Sequence, residues 1–590
     1  MTDETVRDDG GAEGESPGRR RWLAVAVLCV CVLVPFMDLI VVSVSLTAVQ
    51  RNLHATSGQL QWIVAVYGIT SASFMLVVPA VGSRWGYRRT LLWGLVLFGV
   101  ASAATAFAPT AGMLIAMRVV MAVGASVVLP LSTAFITILF RESERVKAIG
   151  IWAAGVALAT PLGAVVGGAL VEYFWWGWIF LINVFTVALV LPLIFWVLPP
   201  AREVPRSGIN VWSVALLAAG GLLLVYGAID AENDWGSAAV WMAAGVVVLV
   251  GFLVCERRSA APLIGLAPFR SPRFLWAQAT IVVGAFSLTA ALFVVPMYLQ
   301  TVLGLSSLSV GLRLIPFALL VVVGSLAADR LTKRLGARWV VVGGSLVFGV
   351  GLALLTRATA DSGDALVAFA FGLAGLGGGV AQAPAVSAAL GALPPAVAAN
   401  GGAFINALRN LGGALGVGLI GTLITRDYVR ELSGSTAGLS AGRADEVRAS
   451  VANVADVSDA VGGPAGQTLR DHASSAFVHG LIPGMRTAAV VVLVVALLMC
   501  LPLRALRDRP TGDGADAVDG SDAVDGPDGT DGADGTDGAS QPPATGDGTD
   551  GLAGDGTGGA DGAAARTGAG APGDGGDGVP RAGAAGAHSG

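Results

Sequence analysis

Charge is scarce in this sequence. Only 13% of its 590 residues are Asp, Glu, Lys or Arg, against 54% apolar residues, and the mean hydropathy is +0.72. A soluble domain carries about twice that share of charge, so a water-soluble globular protein is excluded. Cysteine is scarcer still. Cys29, Cys31, Cys255 and Cys500 all fall in or at the ends of apolar runs. They have neither zinc-site spacing nor the density of a disulfide framework, and read as small buried thiols. The four histidines, His54, His472, His479 and His588, lie outside the apolar runs and form no metal-ligand cluster. There is no phosphate-cradling P-loop, so ATP does not drive this protein directly. The sequence predicts no enzyme, no cofactor, no metal and no nucleic-acid partner.

What is present is apolar length. Blocks run over 22–48, 59–82, 90–108, 112–139, 148–170, 178–198, 210–229, 237–255, 274–297, 309–328, 338–356, 364–390, 400–424 and 483–503. Each exceeds the roughly 18 residues that span a bilayer core as a helix. Fourteen blocks predict an all-α integral membrane protein with fourteen transmembrane helices. The lipid bilayer is therefore its first partner.

The short loops fix the orientation, because Lys and Arg stay on the cytoplasmic side. Arg19–Arg21 precede span 1. Arg84, Arg88 and Arg89 join spans 2 and 3, and Arg141, Arg145 and Lys147 join spans 4 and 5. Arg202 and Arg206, then Arg257, Arg258, Arg270 and Arg273, then Arg330, Lys333, Arg334 and Arg338 continue the alternation, and Arg504, Arg507 and Arg509 follow span 14. The intervening short loops hold only Arg51 and Arg357. Both termini are predicted to be cytoplasmic. The loop 425–482 is expected to be long and extracytoplasmic, with 441–460 helical enough for a small hairpin.

The chain ends are of another character. Residues 1–21 are polar and predicted to be disordered. From Thr511 onward there are fifteen Asp and two Arg, a balance of −13, so the first 510 residues carry about +8 by difference from the net −5. Asp recurs at every third position from Asp513 to Asp537. No large aliphatic recurs with it, as a calcium-binding nonapeptide repeat needs, and Ala517 and Ala523 break a collagen pattern. Residues 504–590 read as a disordered acidic tail.

One motif occurs twice. Arg84-Trp-Gly86-Tyr-Arg88 follows span 2, and Arg334-Leu-Gly336-Ala-Arg338 follows span 10. If spans 1–6 (22–198) and 9–14 (274–503) are two halves, both copies sit between the second and third span of their half. Spans 7 and 8, within 199–273, are then an inserted pair. Two such halves with a site near the midplane between them is a transporter architecture.

Few ionisable residues lie deep in the blocks: Asp38, Arg118, Arg313 and Arg409. A charge at that depth costs at least about 2.5–3.5 kcal/mol. Asp38 is the only deep carboxylate. Desolvation there disfavours its charged form, which suits it to take up and release a proton; the bland alternative is an ion pair with an Arg of another span. Arg118 has small neighbours, Ala122 and Ala125, and can reach another helix, either for coupling or for a fixed pair. Gly155, Ala159, Gly163 and Gly167 recur four apart in span 5, beside Gly168, and Gly412 and Gly416 recur in span 13. Such stripes admit close helix approach, as a seal between halves or as ordinary packing. Trp62, Tyr67, Phe74, Phe286, Phe293 and Tyr298 are candidates to line a cavity, while Trp22, Trp175, Trp176 and Trp178 suit membrane interfaces.

These motifs together resemble the fourteen-spanner drug:proton antiporter branch of the major facilitator superfamily, over about residues 20–505. Leu114-Ile-Ala-Met-Arg118 with Gly124-Ala125 resembles its span 4, Gly163-Ala-Val-Val-Gly167-Gly168 its span 5, Trp178-Ile-Phe-Leu-Ile-Asn183 its span 6, and Arg409-Asn-Leu-Gly412-Gly-Ala-Leu-Gly416 its span 13. The resemblance implies the major facilitator fold, a monomer in the bacterial cytoplasmic membrane, and proton-coupled export of small organic molecules. Asp38 would be the coupling carboxylate, with Arg118 and Arg409 organising its polar network. The chain also departs from the pattern. The loop acid of the branch is replaced by Ser83 before Arg84, Gly86 and Arg88, with Lys333 at the equivalent place in the second half and Asp329 one turn earlier as a conceivable substitute. Two other functions stay open: transport of amino-acid or peptide-like solutes, and a transport-inactive membrane sensor or scaffold.

Overall fold

The computed structural model describes residues 17–200, 210–232, 234–259, 267–359, 364–393, 395–432 and 439–500. The polar residues 1–16, the loop with Arg202 and Arg206, and the acidic tail lie outside the described residues. All described residues belong to one compact unit, and among them there is no strand.

Span 1 is α1 (Pro17–Leu53), which begins inside the segment predicted to be disordered. Span 2 is α2 (Ser57–Met75) and α3 (Val78–Trp85), span 3 is α4 (Tyr87–Ala106), and span 4 is α5 (Ala111–Ala125) with α6 (Val128–Leu139). Spans 5 and 6 are α7 (Glu142–Tyr173) and α8 (Trp178–Val197), and the inserted pair is α9 (Val211–Asp230) and α10 (Trp235–Arg258). Span 9 is α11 (Pro272–Thr301), and span 10 is α12 (Ser307–Arg313) with α13 (Ile315–Leu335). Spans 11 to 13 are α14 (Ala337–Leu355), α15 (Asp364–Gly391) and α16 (Pro395–Leu432). The short α17 (Ala441–Ala449) and α18 (Val454–Val461) precede span 14, α19 (Gly463–Cys500). Among the described residues, thirteen helical segments are long and apolar enough to cross a membrane; α2 and α3, bent by 53°, pass together and make the fourteenth.

The breaks have a common cause. Proline lacks the N–H of the helical ladder and its ring clashes with the carbonyl four residues back. Pro79, Pro130 and Pro316 sit at the second or third position of the helix that follows each break, the breaks falling at Leu76–Val77, Ser126–Val127 and Leu314 respectively.

The two halves use one packing scheme. In the first, α1 packs on α7 and α8, and α4 on α5 and α8. In the second, α11 packs on α16 and α19, and α14 on α15 and α19. The repeated motif does the same work twice. Gly86 (φ 92°) and Gly336 (φ 81°) turn the chain between helices in a conformation that disfavours a Cβ. The arginine two residues on then caps the sixth span of its half. Arg88 Nη1 donates to the carbonyls of Leu198 (3.1 Å) and Phe195 (3.4 Å), and Arg338 Nε donates to that of Met499 (2.9 Å).

The inserted pair packs on both halves. Val225 and Ile229 of α9 cluster with Ala65 and Ile69 of α2 and with Leu411 and Ala414 of α16. The face where α1 ends is called the far face below, and the face where it begins the near face. The halves touch at the far face: a Cβ on Gly311 of α12 would lie 2.2 Å from the Ala164 carbonyl of α7, and Thr47 of α1 hydrogen-bonds Gln300 of α11.

The loop expected over 425–482 is shorter than that. α16 continues to Leu432 and α19 starts at Gly463, because polar sequence prolongs a helix beyond the bilayer and hydropathy records only the apolar part. The hairpin expected over 441–460 corresponds to α17 and α18. It is tied down where Ser57 Oγ donates to the Ala449 carbonyl (3.0 Å) and Tyr428 Oη to that of Val447 (2.9 Å).

Candidate functional site: a buried ionic cluster on four spans

α1, α2, α5 and α8 bring one polar cluster together in the apolar interior of the first half, and α4 adds to it. Asp38 and Arg118 form an ion pair, Nη1 to Oδ2, with both side chains at 0% exposure. Asn183 of α8 donates from Nδ2 to Asp38 Oδ1 at 3.0 Å and lies 3.2 Å from Ser102 Oγ of α4. Arg118 Nε donates to the Ile63 carbonyl of α2 at 3.2 Å. The guanidinium lies 4.2 Å from the centroid of the Tyr67 ring, within cation–π range. Both carboxylate oxygens of Asp38 are thus occupied. Arg118 Nη2 and the Tyr67 hydroxyl are buried without a hydrogen-bond partner.

The sequence supports this placement locally. A carboxylate and a guanidinium at bilayer depth are each unfavourable alone, and pairing removes the net charge. Ala122 and Ala125 leave room beside Arg118, and both are buried. What sequence reading missed is the identity of the partners. Asn183 carried only a motif resemblance, and Ser102 carried no signal. Both are small polar residues in apolar runs, fully buried, and that is the signal that could have found them.

Arg409 is not in this cluster. Its guanidinium lies 5.7 Å from the ring centroid of Phe36, two residues before Asp38, so it faces α1 from the other half. Arg313 Nη1 donates to the Ser309 carbonyl of its own helix (3.3 Å).

The aromatic candidates separate. Tyr67 lies under Arg118. Phe293, 5% exposed, lines a void of about 20 Å³ with Leu60, Met297, Ile424 and Tyr428 near the far face. Trp62 does not face the space between the halves. It packs toward the inserted pair, 6.4 Å from Tyr226 between ring centroids, because α9 covers that side of α2.

The span 5 stripe is not a seal between halves over most of its length. A Cβ on Gly155 would meet Cys29, one on Gly163 would meet Met37 and Ile40, and one on Gly167 would meet Val41, all of α1 in the same half. Gly168 alone faces across, where a Cβ would lie 2.6 Å from the Ser307 carbonyl of α12. Gly412 and Gly416 of α16 pack on Val282 and Phe286 of α11, again within one half. In the near-face loop, Ser83 Oγ donates to the Ala80 carbonyl of its own turn (2.9 Å), while Arg84 is exposed. Asp329 does not stand in for the missing acid: it pairs with Lys333 on its own helix, with both side chains over 70% exposed.

A larger cavity, about 880 Å³, opens at the far face and is lined by Thr47, Arg51, Glu172, Gln300, Ser307 and Arg470 among others.

Comparison with known proteins agrees with this geometry. A solved bacterial homologue of the human lysosomal transporter Spinster, inward-facing, superimposes with a TM-score of 0.60 at 16% identity, over 83% of this chain and 98% of that one. A D-xylose–proton symporter gives 0.53 at 14% identity, over 81% and 97%. These likenesses establish the fold. In sequence, the chain is 29% identical to the tetracenomycin C resistance and export protein of Streptomyces glaucescens over 83% of this chain and 93% of the relative. It is 30% identical to the multidrug efflux pump LfrA of Mycolicibacterium smegmatis, over 82% and 97%. The puromycin resistance protein pur8 of Streptomyces alboniger is 32% identical, over 70% and 83%. With two halves of shared packing, fourteen spans and a family profile matching residues 28–417, the chain belongs to the Major Facilitator Superfamily.

Proposed function

We propose that this chain exports small, drug-like or secondary-metabolite molecules across the bacterial cytoplasmic membrane in exchange for protons. The near face is the cytoplasmic one, with both termini on it, in keeping with the basic near-face loops. The working unit is the monomer. Residues 22–198 and 274–503 are the two bodies that rock about a central site, and 199–273 is an inserted pair bound to both.

The observation that carries the proton part is the Asp38–Arg118–Asn183 cluster. Asp38 is the one carboxylate deep in the described spans, and it is held by donors from α5 and α8. A proton on Asp38 removes the charge that holds Arg118, so α1, α5 and α8 repack as the proton enters and leaves. That is a two-arrangement element of the kind alternating access requires. The export part is supported by relatives whose names describe resistance, export and efflux.

The test is extrusion of a compound panel by an efflux-deficient bacterium expressing the protein. Extrusion that collapses with an uncoupler is expected. Extrusion that survives uncoupling contradicts proton exchange, and a well-folded protein that moves nothing favours a sensor or scaffold.

A further inference from the structure

The charge balance of the spans points to a substrate class. Among the described residues, Asp38 is the one carboxylate in the interior of a span, and Arg118 neutralises it. Glu172, Asp230, Glu256, Asp427 and Asp471 lie at or toward span ends or on helical extensions outside the apolar blocks. Arg409 has no such neutralising partner among the described residues; its one close contact of this kind is the Phe36 ring. The face of α16 that carries it is partly open. Gly402, Asn406 and Arg409 are all part-exposed, and a Cβ on Gly402 would meet nothing within 4 Å. The contact between Arg409 and Phe36 joins the two halves, where a major facilitator carrier places its substrate.

In the first half, Arg118 Nη2 is a buried donor without a partner, and the Tyr67 hydroxyl, able to donate or accept, is buried without one as well.

We propose that the site between the halves recognises aromatic molecules bearing an anionic or acceptor-rich oxygen group, with Arg409 as the docking cation and Phe36 as the stacking face, and that it disfavours cations. The proposal rests on the export reading and names its substrate class. An aromatic anion satisfies both members of the contact: its charged oxygens pair with the guanidinium, and its ring takes the place of the guanidinium over Phe36. A cation meets an unopposed positive charge in a medium of low dielectric. An inside-negative potential drives an anion outward by itself, so such a substrate needs no second deep carboxylate in the spans.

Binding separates this proposal from the export reading, because it needs no turnover. The full chain in nanodiscs is titrated with fluorescein and with ethidium, two fused-ring aromatic dyes of opposite charge, by fluorescence polarisation. The expected result is at least tenfold tighter binding of fluorescein. Arg409→Gln should weaken fluorescein about tenfold and leave ethidium equal or tighter, with Arg409→Lys between the two. Equal or tighter binding of ethidium by the wild type overturns the proposal. So does binding of neither dye, or an Arg409→Gln protein of unchanged melting temperature whose fluorescein affinity is also unchanged. Loss of extrusion in cells with charge-selective binding intact would defeat the export reading and leave the site assignment standing.

Discussion

Asp38 and Arg118 stand eighty positions apart in the chain and meet as one ion pair with both side chains shielded from solvent. The pair ties α1 to α5, and Asn183 ties α8 to the same carboxylate. Charge, proximity and burial therefore coincide at a single group.

Removing one partner of this pair leaves an uncompensated charge in the interior. Asp38→Asn is expected to cost about 3–5 kcal/mol of stability and to abolish proton-driven extrusion. The double substitution Asp38→Asn with Arg118→Gln should recover much of the stability and none of the coupling. Thermal melting of purified protein, read beside transport in cells, separates the two effects.

Asn183→Ala removes a hydrogen bond to the ionised carboxylate, an interaction worth about 1.5–3 kcal/mol. The expected outcome is a lowered melting temperature with extrusion reduced but still sensitive to an uncoupler. Full activity at an unchanged melting temperature would remove Asn183 from the cluster.

Glycine substitutions distinguish packed from open faces. A Cβ on Gly416 would lie 2.0 Å from the Phe286 carbonyl, so Gly416→Ala should destabilise by at least about 1–3 kcal/mol. Gly378 of α15 has nothing within 4 Å of its would-be Cβ, so Gly378→Ala should be neutral or slightly stabilising through helix propensity. Gly168→Ala should instead loosen the far-face contact of α7 with α12, read as faster labelling of a cysteine introduced at Ser307.

One acid outside the spans gives a pH prediction. Asp234 caps α10, accepting from the backbone N–H groups of Ser237 (2.8 Å) and Gly236 (3.1 Å). Those bonds hold its carboxyl below the usual carboxylate range. A depressed folded value means stability that is present above the unfolded value and lost as pH falls through the folded one. Asp234→Ala should therefore melt lower than wild type at neutral pH, and the gap should close in acid. A gap that persists well below the carboxylate range would mean the cap acts without its charge.

Much of this arrangement is legible in the amino-acid sequence. Apolar length gave the spans, and the repeat from Arg84 to Arg88 and from Arg334 to Arg338 divided them into halves. Asp38 and Arg118 stood out because charge is unfavourable at depth. Hydropathy reports depth, however, and says nothing of which way a side chain points around its helix. That is why Trp62 was expected beside a cavity and sits under the inserted pair. It is also why the Gly155–Gly167 stripe was open to reading as a seal when it packs on α1. Asn183 is marked in the sequence only by the span 6 resemblance and Ser102 by none, because a small neutral polar residue costs little in an apolar run and stands out weakly there. Where the helices outlast the bilayer, as α16 and α19 do, hydropathy ended them early.

Proton exchange through Asp38 is the step on which the proposed transport by this chain turns. Its most direct measurement uses the purified full chain in proteoliposomes loaded with a substrate found by the extrusion panel, with an imposed pH gradient and a pH-sensitive dye on the proton side. The expected result is that substrate movement and proton movement in the opposite direction appear together in the wild type, and that Asp38→Asn loses both the gradient-driven flux and the proton signal. Gradient-driven flux and proton movement that persist undiminished in a folded Asp38→Asn protein would contradict it.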